Sequence, residues 1–231
     1  PSTAHCSSPP QPRQGVQCPG PRPSASRRRL LECQTTGEVA ELVMSALGDF
    51  NPGDTAVALS CLSELQLDRQ ACTASPDQLG SAISALEGHL LARCAELPAS
   101  SVAAGAAALV KLSRNRIPLC EALRERAIQV APDFTPGDLA RTIWALGKQR
   151  QMTAAAWEVL GARASNLLER GQAGEFEALH LTHIAWTAAR FEAPLPRMLS
   201  LLGVAAAGRL EELPPLHFAR LAWALASSRA M

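Results

Sequence analysis

Tyrosine is absent, and aromatic residues make up only 4% of the 231-residue chain. Strands of a β-sandwich or barrel draw on aromatic and β-branched residues, so this poverty argues against both. No run of about 18 apolar residues occurs, which leaves nothing to cross a membrane as a helix. The seven cysteines (Cys6, Cys18, Cys33, Cys61, Cys72, Cys94, Cys120) are odd in number, scattered, and form no C-x-x-C pair. That pattern predicts reduced thiols serving as small apolar residues, not a disulfide framework. Walker loop, dinucleotide fingerprint, H-E-x-x-H and G-x-S-x-G are all missing. No cysteine–histidine spacing singles out a nucleophile and its base. The expectation is a protein without enzymatic chemistry, cofactor or small-molecule substrate.

Acid is also missing, locally. Before Glu32 there is none, while Arg13, Arg22, Arg27, Arg28 and Arg29 fall within residues 1–35, with seven prolines between Pro1 and Pro23. A segment this rich in Pro, Ser and Arg buries little apolar surface and is expected to be disordered. It reads either as an organellar transit peptide or as a low-complexity tail. Residues 36–231 then hold 17 basic and 20 acidic side chains, a balance without the strong positive field of a non-specific nucleic-acid binder.

What the chain has in abundance is Ala and Leu, arranged in copies. Thr135 can cap a helix with Pro136 in its first turn and Asp138 near the positive end of its dipole. Leu139, Ile143 and Leu146 follow at helical spacing. The same plan recurs behind apolar anchors at Phe50, Leu97, Phe134, Phe176 and Leu213, which lie 47, 37, 42 and 37 residues apart. The columns agree. Six residues after each anchor stand Ala56, Ala103, Ala140, Thr182 and Ala219; eleven after stand Cys61, Ala108, Ala145, Thr187 and Ala224. All-small columns let neighbouring helices approach closely. Partner helices are predicted near Ser75–Leu90, Pro118–Val130, Thr153–Glu169 and Pro196–Gly208. The expected fold is therefore all-α: an α-solenoid, a right-handed superhelix of helix pairs of about 37–47 residues. It divides into a partial repeat at 36–48, repeats at 49–95, 96–132, 133–174 and 175–211, and a half repeat at 212–231.

Helical spacing assigns positions 4, 7, 11 and 14 after the anchor to one face. In the last three repeats that face turns basic, with Arg141, Lys148, His183, Arg190 and Arg220. One cation per repeat could track a phosphate backbone, and the same residues also fit an ordinary solvated outer face. Trp144, Trp186 and Trp223 share the tenth position. Bases stack on such rings, but flanking the Leu stripe they are expected to be buried between repeats. Trp157 is expected in the core. His180 and His183, three apart, have a spacing that suits two metal ligands, yet no carboxylate or Cys completes the set, so no metal site is expected.

The units FTPGDLARTIWALGK (134–148) and LPPLHFARLAWALASS (213–228) resemble octotricopeptide repeats, and the helical-repeat region preceding the RAP domain in organellar proteins of the FAST-kinase-domain group. The resemblance covers residues 36–231 and is strongest from Phe134 onward. It implies binding of single-stranded RNA in a chloroplast or mitochondrion, in RNA processing, stability or translation. Arg141, Lys148, His183, Arg190 and Arg220 would then contact phosphates or bases. A scaffold for protein partners on the same solenoid is the alternative, in an organelle or otherwise as a soluble intracellular protein.

Overall fold

Residues 24–191, 193 and 196–227 are described by the structure, a computed structural model. Among them there is no strand, and the fold is all-helical. Eleven helices follow one another: α1 Ala25–Glu32, α2 Thr36–Ala46, α3 Pro52–Leu65, α4 Pro76–Ala92, α5 Ala99–Lys111, α6 Ile117–Gln129, α7 Pro136–Lys148, α8, α9 Ala178–Arg190, α10 Pro196–Ala207 and α11 Pro215–Ser227. Helix α8 runs from Ala154–Ala156 through a π turn, Trp157–Gly161, into Ala162–Glu169.

The starts of these helices are written locally. The Asn51 and Ser75 side chains each accept the N–H of the residue three on, and their own N–H groups donate to that residue's side chain in return, forming capping boxes with Asp54 and Gln78. Thr135 caps α7 as its sequence predicts. The five anchors Phe50, Leu97, Phe134, Phe176 and Leu213 are all buried. Each directly follows a single 3-10 turn.

An extended, buried anchor leaves its own carbonyl short of a partner, and a buried carbonyl must find one. Arginines supply it. Arg93 Nη1 donates to Phe50 O (3.2 Å), Arg126 Nε to Leu97 O (2.8 Å), Arg163 Nη2 to Phe134 O (3.1 Å), and Arg209 Nη1 to Phe176 O. Each arginine comes from the partner side of its own pair, so each pair is locked by one equivalent bond.

The odd-numbered helices touch in order, α1 on α3, α3 on α5, α5 on α7, α7 on α9 and α9 on α11. The even-numbered helices form a second succession, and each packs against its odd-numbered mate. Between the two rows runs one continuous apolar layer, from Leu30 to Ala224. Small residues permit the closeness: a Cβ on Gly147 would lie 2.4 Å from Thr187 Cγ2.

The two longest repeats each carry an irregularity. The α3–α4 connection is long, and it is fixed against α2: Thr36 N–H donates to Ala71 O (2.8 Å), and Thr36 Oγ1 accepts from the N–H groups of Thr73 and Ala74 (both 3.0 Å). In the Phe134 repeat α8 runs from Ala154 to Glu169, three residues longer than α6, and its π turn absorbs one of them.

The expectation of disorder over residues 1–35 is corrected for residues 24–35, the part that is described. Ser24 caps α1 and donates to Asp54 Oδ1 (2.8 Å), and Leu30 is wholly buried. Helix α1 packs on α2 and α3, so it supplies the first half of the pair that the sequence divides at residue 36. The transit-peptide reading otherwise falls on residues 1–23, which lie outside the described residues, as do residues 228–231 of the terminal half repeat.

Candidate nucleic-acid interface

Position 4 after the anchor is the third residue of each odd-numbered helix, and this fixes its role. Asp54 and Asp138 complete their helix starts, with Asp138 Oδ2 accepting from Thr135 Oγ1 (2.8 Å) and Oδ1 from Arg141 (2.6 Å). His180 Nδ1 accepts the Glu177 N–H (3.3 Å). Position 11 is closed as well, since Ala108, Ala145, Thr187 and Ala224 are buried. The accessible face therefore runs through positions 7, 10 and 14 and is rotated from the expected 4, 7, 11 and 14. This rotation corrects the assignment of the tryptophans. Trp144 and Trp186 are only half-buried, each against a side chain of the next repeat, because the closest contact between repeats is made by the small columns at 6 and 11; Trp223, on the last described helix, is 47% exposed. Trp157, by contrast, is in the core as expected.

The five predicted residues all lie on this face, on three consecutive odd-numbered helices: Arg141 and Lys148 on α7, His183 and Arg190 on α9, and Arg220 on α11. They interleave with the tryptophans across repeats. Trp144 stacks on His183 with centroids 5.3 Å apart and planes 20° apart. Lys148 Nζ lies 4.9 Å from the Trp186 centroid, and the Arg220 guanidinium lies 5.9 Å from the same ring. Both are within cation–π range. Arg190 lies over Phe191 at 5.9 Å. His183 also meets His217 edge to face at 5.9 Å.

Electrostatically the five differ. Arg141 is neutralised within its own helix by Asp138. Lys148, Arg190 and Arg220 make no ion pair with a described residue. His183 is not a cation at neutral pH. Burial first, then His217, His180, Arg220 and Lys148, depress its pKa to about 4. Its Nδ1 and that of His217 are buried without a hydrogen-bond partner among the described residues. His183 thus contributes a neutral, stackable ring, where the sequence suggested a charge.

Spacing alone could not find the ring–cation ladder, because each contact of a tryptophan joins residues from different repeats. The signal was the coincidence of Trp at position 10 with cations at 7 and 14. Among the described residues no group of three or more His, Cys, Asp or Glu is placed to hold a metal ion. No helix among them is long and apolar enough to cross a membrane. Compared with protein-family models and with curated proteins, the chain matches none.

Proposed function

We propose that the chain is a stretch of α-solenoid, the right-handed superhelix expected of its repeats, and that the exposed face of α7, α9 and α11 binds single-stranded RNA without chemistry of its own. The array is supported by five equivalent anchors, four equivalent arginine bonds, and two rows of helices that touch in order. The RNA reading is carried by one observation: Lys148 and Arg220, two cations with no carboxylate partner among the described residues, lie 4.9 and 5.9 Å from the centre of the half-buried Trp186 ring. Aromatic faces accept bases, and flanking cations accept the phosphates between them. An organellar setting, with a role in RNA processing, stability or translation, belongs to the same proposal through the resemblance of residues 134–148 and 213–228.

Fluorescence anisotropy with short single-stranded RNAs tests it. Wild type should bind, and Trp186→Ala or Arg220→Ala should weaken binding about tenfold. Unchanged affinity in both variants defeats the proposal.

A scaffold for protein partners is the second reading. It is favoured by the slight excess of acid over residues 36–231, 20 acidic to 17 basic side chains, because helical arrays of that balance serve as protein-binding surfaces. A pull-down with and without ribonuclease separates the two, because partners that survive digestion support the scaffold.

A further inference from the structure

We propose that the groove over Ala104 and Ala107, on the same face but one repeat earlier, binds a single nucleobase in the ring position that tryptophan fills on the next two repeats. This rests on the RNA reading above and adds to it the residues that hold one base.

The ladder follows a rule. The residue at position 10 of one odd-numbered helix meets the residue at position 7 of the next: Trp144 meets His183, and Trp186 meets Arg220. The residue at position 14 reaches over the following ring, as Lys148 does over Trp186. Applied one step earlier, the rule sets a ring above position 10 of α5, facing Arg141, with Lys111 reaching toward Trp144. Position 10 of α5, however, is Ala107, and position 7 is Ala104. Two methyl groups replace what would be large side chains, and a groove of about 220 Å³ opens there, lined by Ala104, Ala107, Lys111, Arg141, Trp144 and His183 among others.

Its size and chemistry narrow the occupant. Drug-sized ligands need about 300–1,000 Å³, so this groove suits one planar ring system. Trp144 offers an indole wall, backed by the stacked His183 ring. Arg141 offers a guanidinium held in place by Asp138 at 2.6 Å. Bases stack on both kinds of plane. At the rim, Lys111 and Glu64 are 3.7 Å apart. The Lys111 ammonium holds the Glu64 carboxylate at the rim, where it can accept from the N–H groups of a base edge. The alanine floor gives the base an apolar surface to cover.

The test compares wild type with Ala107→Trp, which supplies the missing ring from the protein itself. Short single-stranded RNAs are used, intact and with an abasic nucleotide moved along the strand, and binding is read by anisotropy. Ala107→Trp should weaken binding of intact RNA about tenfold. One abasic position should cost wild type a similar factor and cost the variant nothing. If Ala107→Trp does not fold, Ala104→Leu fills the same groove from its half-buried side and should show the same pattern. Equal affinities for wild type and the filled variants, with Lys148→Ala and Arg220→Ala still weakened, overturn the groove and leave the RNA reading standing. RNA that binds none of these proteins overturns both.

Discussion

His183 joins the aromatic and cationic parts of the face, and its protonation is tied to folding. Its ring touches Trp144 of α7 and His217 of α11. The charged or titratable groups acting on it are His180 on α9, His217 and Arg220 on α11, and Lys148 on α7, all of which oppose a positive charge. The folded pKa of about 4 lies below the roughly 6.5 of an unfolded histidine. Between those values the unfolded chain binds more protons, so stability must fall as pH falls. The stabilisation is complete above about pH 6.5 and is lost on descending toward pH 4. At about 1.4 kcal/mol per unit, the whole effect is on the order of 3 kcal/mol. His180 and His217 shift in the same direction and steepen the trend. Urea denaturation of His183→Phe, which keeps a ring on Trp144 and removes the proton site, should show a flatter loss between pH 6.5 and 4.5 than wild type. Parallel curves would refute the assignment. The column that carries His183 was legible in the sequence, but the direction of the neighbouring tryptophans was not. Periodicity marks the apolar stripe of a helix, and a ring at its edge can turn inward or outward. Only the packing of Thr187 and Ala145 against neighbouring repeats decides that Trp186 and Trp144 turn out.

Helices α7 and α9 show what holds neighbouring repeats at their distance. Thr187 Oγ1 donates to His183 O (2.7 Å), which fixes the side chain with its methyl toward Gly147. Helix propensity alone would favour alanine at position 147 by about 1 kcal/mol. A Cβ there, however, would meet Thr187 Cγ2 at 2.4 Å and Phe191 Cε2 at 3.4 Å. Thr187 cannot turn away without giving up its hydrogen bond. Gly147→Ala is therefore expected to destabilise the fold by a net ~1–3 kcal/mol, read as a lowered urea midpoint. A midpoint at or above wild type would mean that the two helices do not pack so closely. Helices α2 to α11 could be located from caps and periods, because Thr135, Asn51 and Ser75 are local signals. Helix α1 could not. Leu30 is its one buried residue, Arg27 to Arg29 dominate its pattern, and its bond to Asp54 spans 30 residues. The arginines that bind the anchor carbonyls were hidden for a related reason. Arg93 and Arg209 stand four residues before the next anchor, Arg126 eight and Arg163 thirteen, so no fixed spacing betrays them.

Across the whole molecule, near-neutral charge conceals a partition between faces. Helices α7, α9 and α11 carry Arg141, Lys148, Arg190 and Arg220 against a single acid, Asp138. Glu158 and Glu169 lie on α8, and Glu175, Glu177, Glu211 and Glu212 at the turns before α9 and α11. The balance of 17 basic to 20 acidic side chains over residues 36–231 therefore says little about the field a strand would meet on this one face. Binding of a single strand loses affinity with salt at a log–log slope of about −0.7 for each phosphate neutralised. With Lys148, Arg190 and Arg220 free of ion pairs among the described residues, the slope should be about −2, a loss of roughly 20-fold between 50 and 200 mM salt. Lys148→Ala or Arg220→Ala should each flatten it by about 0.7. Arg141→Ala should change it far less, because Asp138 already neutralises that charge at 2.6 Å. Anisotropy titrations at several salt concentrations measure the slopes of wild type and of all three variants. An affinity indifferent to salt, or a change of slope on Arg141→Ala as large as that on Arg220→Ala, would mean that nucleic acid does not run along this face.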